Sequence, residues 1–218
     1  MKITDESTFL KKESLNKKLL KYSIAAGVVL TISAKAHADI QYTDIDPDKV
    51  IPHAENFKTS DFLLDLNNDG TPEFKIFQAF SSTYTLSYNY YFYSYNSVKA
   101  QPLNNGLSVI NAIGDNMYVA ALNSDELISS QQNFGKKHFL GGLSYYLTSP
   151  IGEWPDNGKR FMGVKFKIGE NIHYGWVRLD LPQNCRSFTV LDYAYEDKPG
   201  VAIRAGQKNY SSEDNQGK

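Results

Sequence analysis

The stretch Asp65-Leu-Asn67-Asn-Asp69-Gly70-Thr71-Pro-Glu73 sets oxygen-bearing side chains at alternate positions and places a glycine among them. Carboxylate and amide oxygens at this spacing, wrapped by a sharp turn, suit a hard cation, and Ca²⁺ is the usual one. With Asp65 as position 1, Asp65, Asn67 and Asp69 offer ligands from positions 1, 3 and 5. Thr71 offers its carbonyl from position 7, and Glu73 closes the shell from position 9. Gly70 permits the backbone geometry of the turn. Position 12, where a helix–loop–helix calcium hand needs a bidentate Glu, is Ile76, so that motif is excluded. The competing reading is a plain turn whose Asn and Asp side chains bond their own backbone. Four oxygen-bearing side chains at alternate spacing exceed what a turn requires. Asp44-Ile-Asp46-Pro-Asp48 is a weaker second candidate, because it lacks the glycine and Pro47 stiffens it.

Nothing else in the chain has comparable chemical content. His53, His138 and His173 are not at ligand spacing from one another, and His173, in a strand beside Tyr174 and Trp176, reads as a surface residue. There is no Gly-x-Ser-x-Gly elbow, His-Glu-x-x-His or phosphate loop. Glu153 beside Trp154 and Glu196 beside Tyr195 could form the pair of acids that glycoside hydrolysis needs, which keeps a secreted polysaccharide-acting enzyme open as the alternative function. The aromatic residues are the better hint. Tyr91, Tyr93, Tyr95, Trp154, Tyr174 and Trp176 fall on or near outward strand faces by alternation, where rings stack on sugars or anchor protein interfaces. The competing reading is that both sheet faces are covered and these rings are core. Cys185 is the only cysteine, so no intramolecular disulfide forms, and it reads as a small buried or loop residue.

The elements that must position these groups are strands. Residues 83–95 alternate with period two, Tyr84, Leu86, Tyr88, Tyr90 and Phe92 on one side, which predicts one half-buried strand. Residues 161–168 and 172–181 repeat the pattern on either side of Gly169-Glu170-Asn171 and predict a β-hairpin. Val177, Leu179 and Leu181 share one face of its second arm, opposite Tyr174, Trp176, Arg178 and Asp180. Further strands are expected at 73–80, 107–111, 116–121, 139–147, 187–195 and 200–204, and one helical turn at Ser124-Asp-Glu-Leu. The flanks Phe62-Leu63-Leu64 and Phe74-Lys75-Ile76-Phe77 place the Asp-Gly loop between two strands. Many short strands and almost no helix predict an all-β antiparallel β-sandwich, jelly-roll-like or similar.

The N-terminus reads as an export signal. Lys17, Lys18 and Lys21 precede an apolar run over residues 22–34 that is short for a spanning helix, and Ala36-His37-Ala38 is a small-x-small cleavage site. The rival site is Ala34-Lys35-Ala36, and an uncleaved anchor is the alternative. Loss of residues 1–38 removes seven Lys and three acidic residues from the 23 basic and 24 acidic of the chain, leaving 16 and 21, a net charge near −5. An acidic chain argues against nucleic acid and anionic membrane as partners. Residues 39–206 are expected to form one domain, and the polar residues 207–218 a disordered tail.

In its strand–loop–strand setting the loop resembles the DxNxDGxxD calcium loops of FG-GAP-type propeller repeats. No repeat is visible, so this resemblance covers the loop alone. A larger ordered set comprises Tyr42-Thr-Asp-Ile-Asp-Pro-Asp48, Asp65-Leu-Asn-Asn-Asp-Gly70, Arg160-Phe-Met-Gly-Val-Lys-Phe166, His173-Tyr-Gly-Trp-Val-Arg178, Asp192-Tyr-Ala-Tyr-Glu196, Pro199-Gly200 and Ile203-Arg-Ala-Gly206. This set resembles an uncharacterised group of exported bacterial surface proteins. The resemblance implies export and a β-rich fold and carries no activity. Such proteins often end in a sorting or anchoring signal, whereas this chain ends in polar residues, which favours free secretion or a periplasmic location. The resulting expectation is a secreted or periplasmic, non-catalytic binding or structural protein stabilised by Ca²⁺, with a glycan or a cell-surface protein as partner and no membrane insertion of the mature chain.

Overall fold

The computed structural model describes residues 39–85, 91–104, 106–112, 118–135, 139–144 and 149–210. The expected signal segment 1–38, His138 and residues 211–218 lie outside them. The strands run β1 Ile40–Ile51, β2 Thr59–Leu64, β3 Phe74–Thr85, β4 Tyr91–Pro102, β5 Gly106–Ile110, β6 Leu127–Ile128, β7 Phe134–Gly135, β8 Phe139–Ser144, β9 Arg160–Ile168, β10 Asn171–Asp180, β11 Phe188–Glu196 and β12 Ile203–Arg204. Among the described residues there is no helix, and so none long and apolar enough to cross a membrane. A six-stranded sheet in the order β1-β11-β10-β9-β5-β7 packs against a four-stranded sheet in the order β2-β3-β4-β8. All pairings within the two sheets are antiparallel. The protein is an all-β antiparallel sandwich, as the alternation implies.

The space between the sheets is filled by alternate residues from each. Leu64, Phe74, Ile76, Val98 and Ala100 come from the smaller sheet, and Met162, Val164, Phe166, Val177, Leu179, Phe188 and Val190 from the larger one. Each such side chain contributes about 1.5–3 kcal/mol relative to leaving it in water. A bulge in β11 keeps this face apolar. Arg178 pairs with Asp192 and Leu179 with Val190, so Leu191 has no opposite residue and the period shifts by one. Phe188 and Val190 before the bulge, and Tyr193 and Tyr195 after it, then line the same core.

The larger sheet is covered on its other face too. The β12–β6 ribbon and the chain after it bury Ile40, Ile110, Leu122, Ile128, Phe161, Tyr174, Trp176, Ala194 and Ile203 in a second core. Residues 207–210 take part in this cover, so the packed chain runs past the expected limit at 206. The Trp176 Nε1–H donates to the Gln207 carbonyl at 3.0 Å, and the Tyr210 hydroxyl donates to Glu196.

Several expected elements differ in detail. The predicted strand 83–95 is two arms, the end of β3 and the start of β4, paired Thr83 with Tyr93 and Thr85 with Tyr91. Both arms of a hairpin can share one alternation, so periodicity alone does not reveal the reversal. Residues 86–90 lie outside the described residues. Ser124-Asp-Glu-Leu is not helical. Asp125 takes φ 68, Glu126 caps Asn123, and the chain enters β6. β1 was not expected as a strand. It is an edge strand with a register shift between Asp44 and Lys49, and it carries Asp44, Asp46, Pro47, Asp48 and Lys49 there. Charge, proline and irregularity are features that keep an edge from pairing with another chain.

Candidate metal centre

Residues Asp65–Glu73 join β2 to β3, whose last pair is Leu64 with Phe74. Leu64, Leu66 and Phe74 are all buried, so both ends of the loop and its second residue are anchored in the main core. Two left-handed residues turn the chain between these anchors, Asn68 at φ 57 and Gly70 at φ 86. Asparagine tolerates that region and glycine is free in it.

The side chains organise the turn from within. Asp65 accepts from the Gly70 N–H at 2.8 Å and from the Asp69 N–H at 3.2 Å, through its two oxygens. Asp69 accepts from the Thr71 N–H at 2.8 Å and from the Asn67 Nδ2–H at 2.9 Å. These bonds hold the Asp69 carboxyl below the usual carboxylate range. They are turn chemistry, and a loop with no ligand could make all of them.

Glu73 goes beyond turn chemistry. Its side chain is fully buried. One oxygen accepts from the Leu66 N–H at 2.8 Å, and the other, Oε1, has no hydrogen-bond partner. A carboxylate oxygen from each of Asp65, Asp69 and Glu73 lies within 4.8 Å of the other two. Among the described residues no Lys, Arg or His forms an ion pair with any of the three. Burial pushes the Glu73 carboxyl up to about 7, against the pull of the Leu66 N–H and with the added negative fields of Asp65 and Asp69. Three acids converging with one bare buried oxygen form a site that a hard cation with oxygen preference would complete.

The structure thus brings together Asp65, Asp69 and Glu73 of the five expected ligands. Asn67 is tied to Asp69 through its amide. Thr71 contributes its N–H to Asp69. Asp44, Asp46 and Asp48 do not form a second centre. They are exposed in β1, and among the described residues the Asp65 cluster is the only group of three potential ligands.

Sequence reasoning missed the wall behind the loop. The Glu73 carbonyl accepts from the Leu103 N–H at 2.7 Å, and the Asn104 amide donates to the Pro72 carbonyl at 3.2 Å. A Cβ on Gly106 would fall 1.9 Å from the Glu73 carbonyl oxygen, so only glycine fits there. In the sequence, Asn104-Asn-Gly106 reads merely as a turn. No protein-family model, curated protein or solved structure matches this chain.

The aromatic expectation needs correction at three positions. Trp154, Tyr174 and Trp176 are buried, not outward. Trp154 fills the main core and donates to the Val119 carbonyl at 2.9 Å. Tyr174 and Trp176 fill the second core, Trp176 edge-on to Phe161 at 5.3 Å. The covering layer behind the sheet turns an apparently wet face into core. The side chains of Tyr91 and Tyr93 lie outside the described residues, and Tyr95 remains half-buried. His173 is likewise buried, its Nδ1 bonded to the Glu196 carbonyl at 2.9 Å. Glu196 is buried and engaged by Tyr210 and the Lys198 N–H, and Glu153 accepts from the Ala121 N–H at 3.2 Å. Each acid has its own separate partners. Cys185 is buried, and burial pushes its thiol up to about 12.

Proposed function

We propose that this protein is an exported, non-catalytic binding or structural β-sandwich whose β2–β3 loop holds a calcium ion. The observation that carries the metal assignment is the fully buried Glu73 carboxylate, with one oxygen unpartnered and Asp65 and Asp69 beside it. A loop that served only as a turn would gain nothing from burying a third acid against two others. Calcium rather than magnesium fits three carboxylates converging from one loop, since calcium accepts irregular shells of oxygen and magnesium demands a tighter octahedral shell and keeps its waters. Export is supported by the basic flank, apolar run and small-x-small site of residues 17–38.

Calcium binds only the folded loop, so it raises the melting temperature with concentration. Thermal unfolding of the full chain in EDTA, in millimolar Mg²⁺ and in millimolar Ca²⁺ tests the assignment. The expected result is an upward shift with Ca²⁺ that Mg²⁺ does not reproduce. Asp65→Ala and Asp69→Ala should each abolish it, and Asp48→Ala should leave it intact. A full shift in both loop variants would reduce the loop to turn chemistry.

A further inference from the structure

Phe57 combines two properties that the packing of the protein does not require. The residue is 73% exposed, beyond the other exposed large apolar residues Val50, Leu63, Leu127 and Ile172. Its backbone sits at φ 61, in the left-handed region, which a bulky side chain adopts only when its surroundings impose it. The constraint is visible. The Phe57 N–H donates to the Phe80 carbonyl and the Lys58 N–H to the Glu55 carbonyl, both at 2.9 Å. Asn56 makes a reciprocal pair with the backbone of Ser82, donating at 3.1 Å and accepting at 2.7 Å. The turn is pinned to β3 so that an aromatic ring stands in water. An exposed ring contributes little to the hydrophobic core, and the fixed backbone beneath it leaves the ring available for contact with something outside the chain.

The ring borders a concavity of about 150 Å³. Tyr95 also lines it, with Ser81, Thr83 and Ser144 on the same face of the sheet, while Ser82 and Ser94 border it from strand positions that alternate to the other face. Tyr95 lies opposite Ser81 across the β3–β4 pairing and opposite Ser144 across β4–β8. A Cβ on Gly142 would come within 2.3 Å of the Tyr95 hydroxyl, so the absence of a side chain there makes room for the end of the ring. No Asp, Glu, Lys, Arg or His is among the described lining residues. The concavity has room for several water molecules and therefore for part of a small hydroxylated ligand. Two aromatic rings, several hydroxyls and no charge suit a neutral ligand with apolar C–H faces and a hydroxylated rim.

We propose that the concavity between Phe57 and Tyr95 binds one neutral pyranose unit of a glycan, stacked on Phe57 and hydrogen-bonded by the surrounding hydroxyls. The site is separate from the calcium loop and does not depend on it. The test is a ¹H–¹⁵N NMR titration of the full chain with the methyl glycosides of glucose, galactose, mannose and N-acetylglucosamine, up to about 50 mM. Methyl glucuronide serves as the charged comparison and N-acetylphenylalanine amide as the peptide-like one. The expected result is saturable shifts at the amides of Phe57 and Tyr95 with at least one neutral glycoside, with an affinity in the millimolar range usual for so small a ligand. Phe57→Ala should weaken binding about tenfold or more with no loss of melting temperature, and Phe57→Trp should retain it. Absence of saturable shifts with every neutral glycoside, equal affinity in Phe57→Ala, or tighter binding of either comparison compound would overturn the proposal. The calcium shift of the melting temperature, read on the same samples, separates failure of this site from failure of the metal centre.

Discussion

Asp192 and Glu73 are both fully buried carboxylates, yet the protein treats them in opposite ways. Asp192 lies on β11 and is met by the chain's own cations. The Arg178 guanidinium grips it with two bonds of 2.7 and 2.6 Å, Lys208 approaches to 3.3 Å, and the Tyr42 hydroxyl donates at 2.9 Å. Glu73 has a single backbone N–H, a bare oxygen and two acidic neighbours. A buried charge is tolerated when it is paired and hydrogen-bonded. Asp192 satisfies that condition internally, and Glu73 satisfies it only with a proton or an added cation. One carboxylate therefore has a structural role that is complete within the chain, and the other is open to a ligand.

Breaking the closed cluster should have the largest effect. Asp192→Ala leaves Arg178 and Lys208 facing each other without their shared anion. Removing one member of a buried pair costs about 3–5 kcal/mol, and the partial exposure of both cations brings the expectation to about 3 kcal/mol. Chemical denaturation should show that loss equally in EDTA and in Ca²⁺. A loss that Ca²⁺ repaired would mean that the two clusters are not independent.

Next in size is occupation of the open cluster. At a calcium concentration about 100 times the dissociation constant, linkage raises stability by about 2.7 kcal/mol, a melting shift of roughly 5–10 °C for a domain of this size. Glu73→Gln should remove most of that shift and, by deleting a buried negative charge, raise the melting temperature in EDTA. An EDTA value below that of the unmodified protein would show that the bare oxygen is not a liability.

A smaller effect separates the two acids by pH. The Glu73 carboxyl rises from 4.5 to about 7 on folding, mainly through burial. A raised pKa stabilises the fold while the group is protonated. That contribution is fully present below about 4.5 and is lost as pH climbs through 7. In EDTA the melting temperature should therefore fall between pH 5 and pH 7.5, and Glu73→Gln should flatten the slope. Saturating Ca²⁺ should flatten it as well, because the cation stabilises the carboxylate. A slope unchanged in Glu73→Gln would assign the titration to another group. The smallest expected effect is Lys208→Ala, below about 1 kcal/mol, since this lysine is half exposed and Arg178 already neutralises Asp192.

The legibility of the sequence followed the range of the interactions. The hairpin of β9 and β10 was readable almost to the residue, because alternation and the Gly169 turn are local properties. The same alternation misled at residues 83–95, where two arms of a hairpin share one pattern. The convergence of acids in the loop from Asp65 to Glu73 was readable because their spacing lies in nine consecutive residues. The isolation of Glu73 Oε1 and the tight fit at Gly106 were not readable, because the first depends on how the fold buries the side chain and the second on a contact between residues thirty-three apart. Phe57 carried no signal at all, since its exposure is set by hydrogen bonds to Phe80 and Ser82 on another strand.

The sequence by itself determined the strand-rich architecture, the face shared by Val177, Leu179 and Leu181, and the spacing of oxygen-bearing side chains along one loop. Only the tertiary structure decided which faces stay wet and which charges are paired. Tyr174 and Trp176 became core because a ribbon and the chain from Gln207 onward close over the back of the larger sheet. Asp192 became paired because Arg178 on the neighbouring strand grips it and Tyr42, 150 residues away in the chain, donates to it. Periodicity and ligand spacing are properties of neighbouring residues. Burial and charge compensation are properties of whichever distant segments the fold brings alongside.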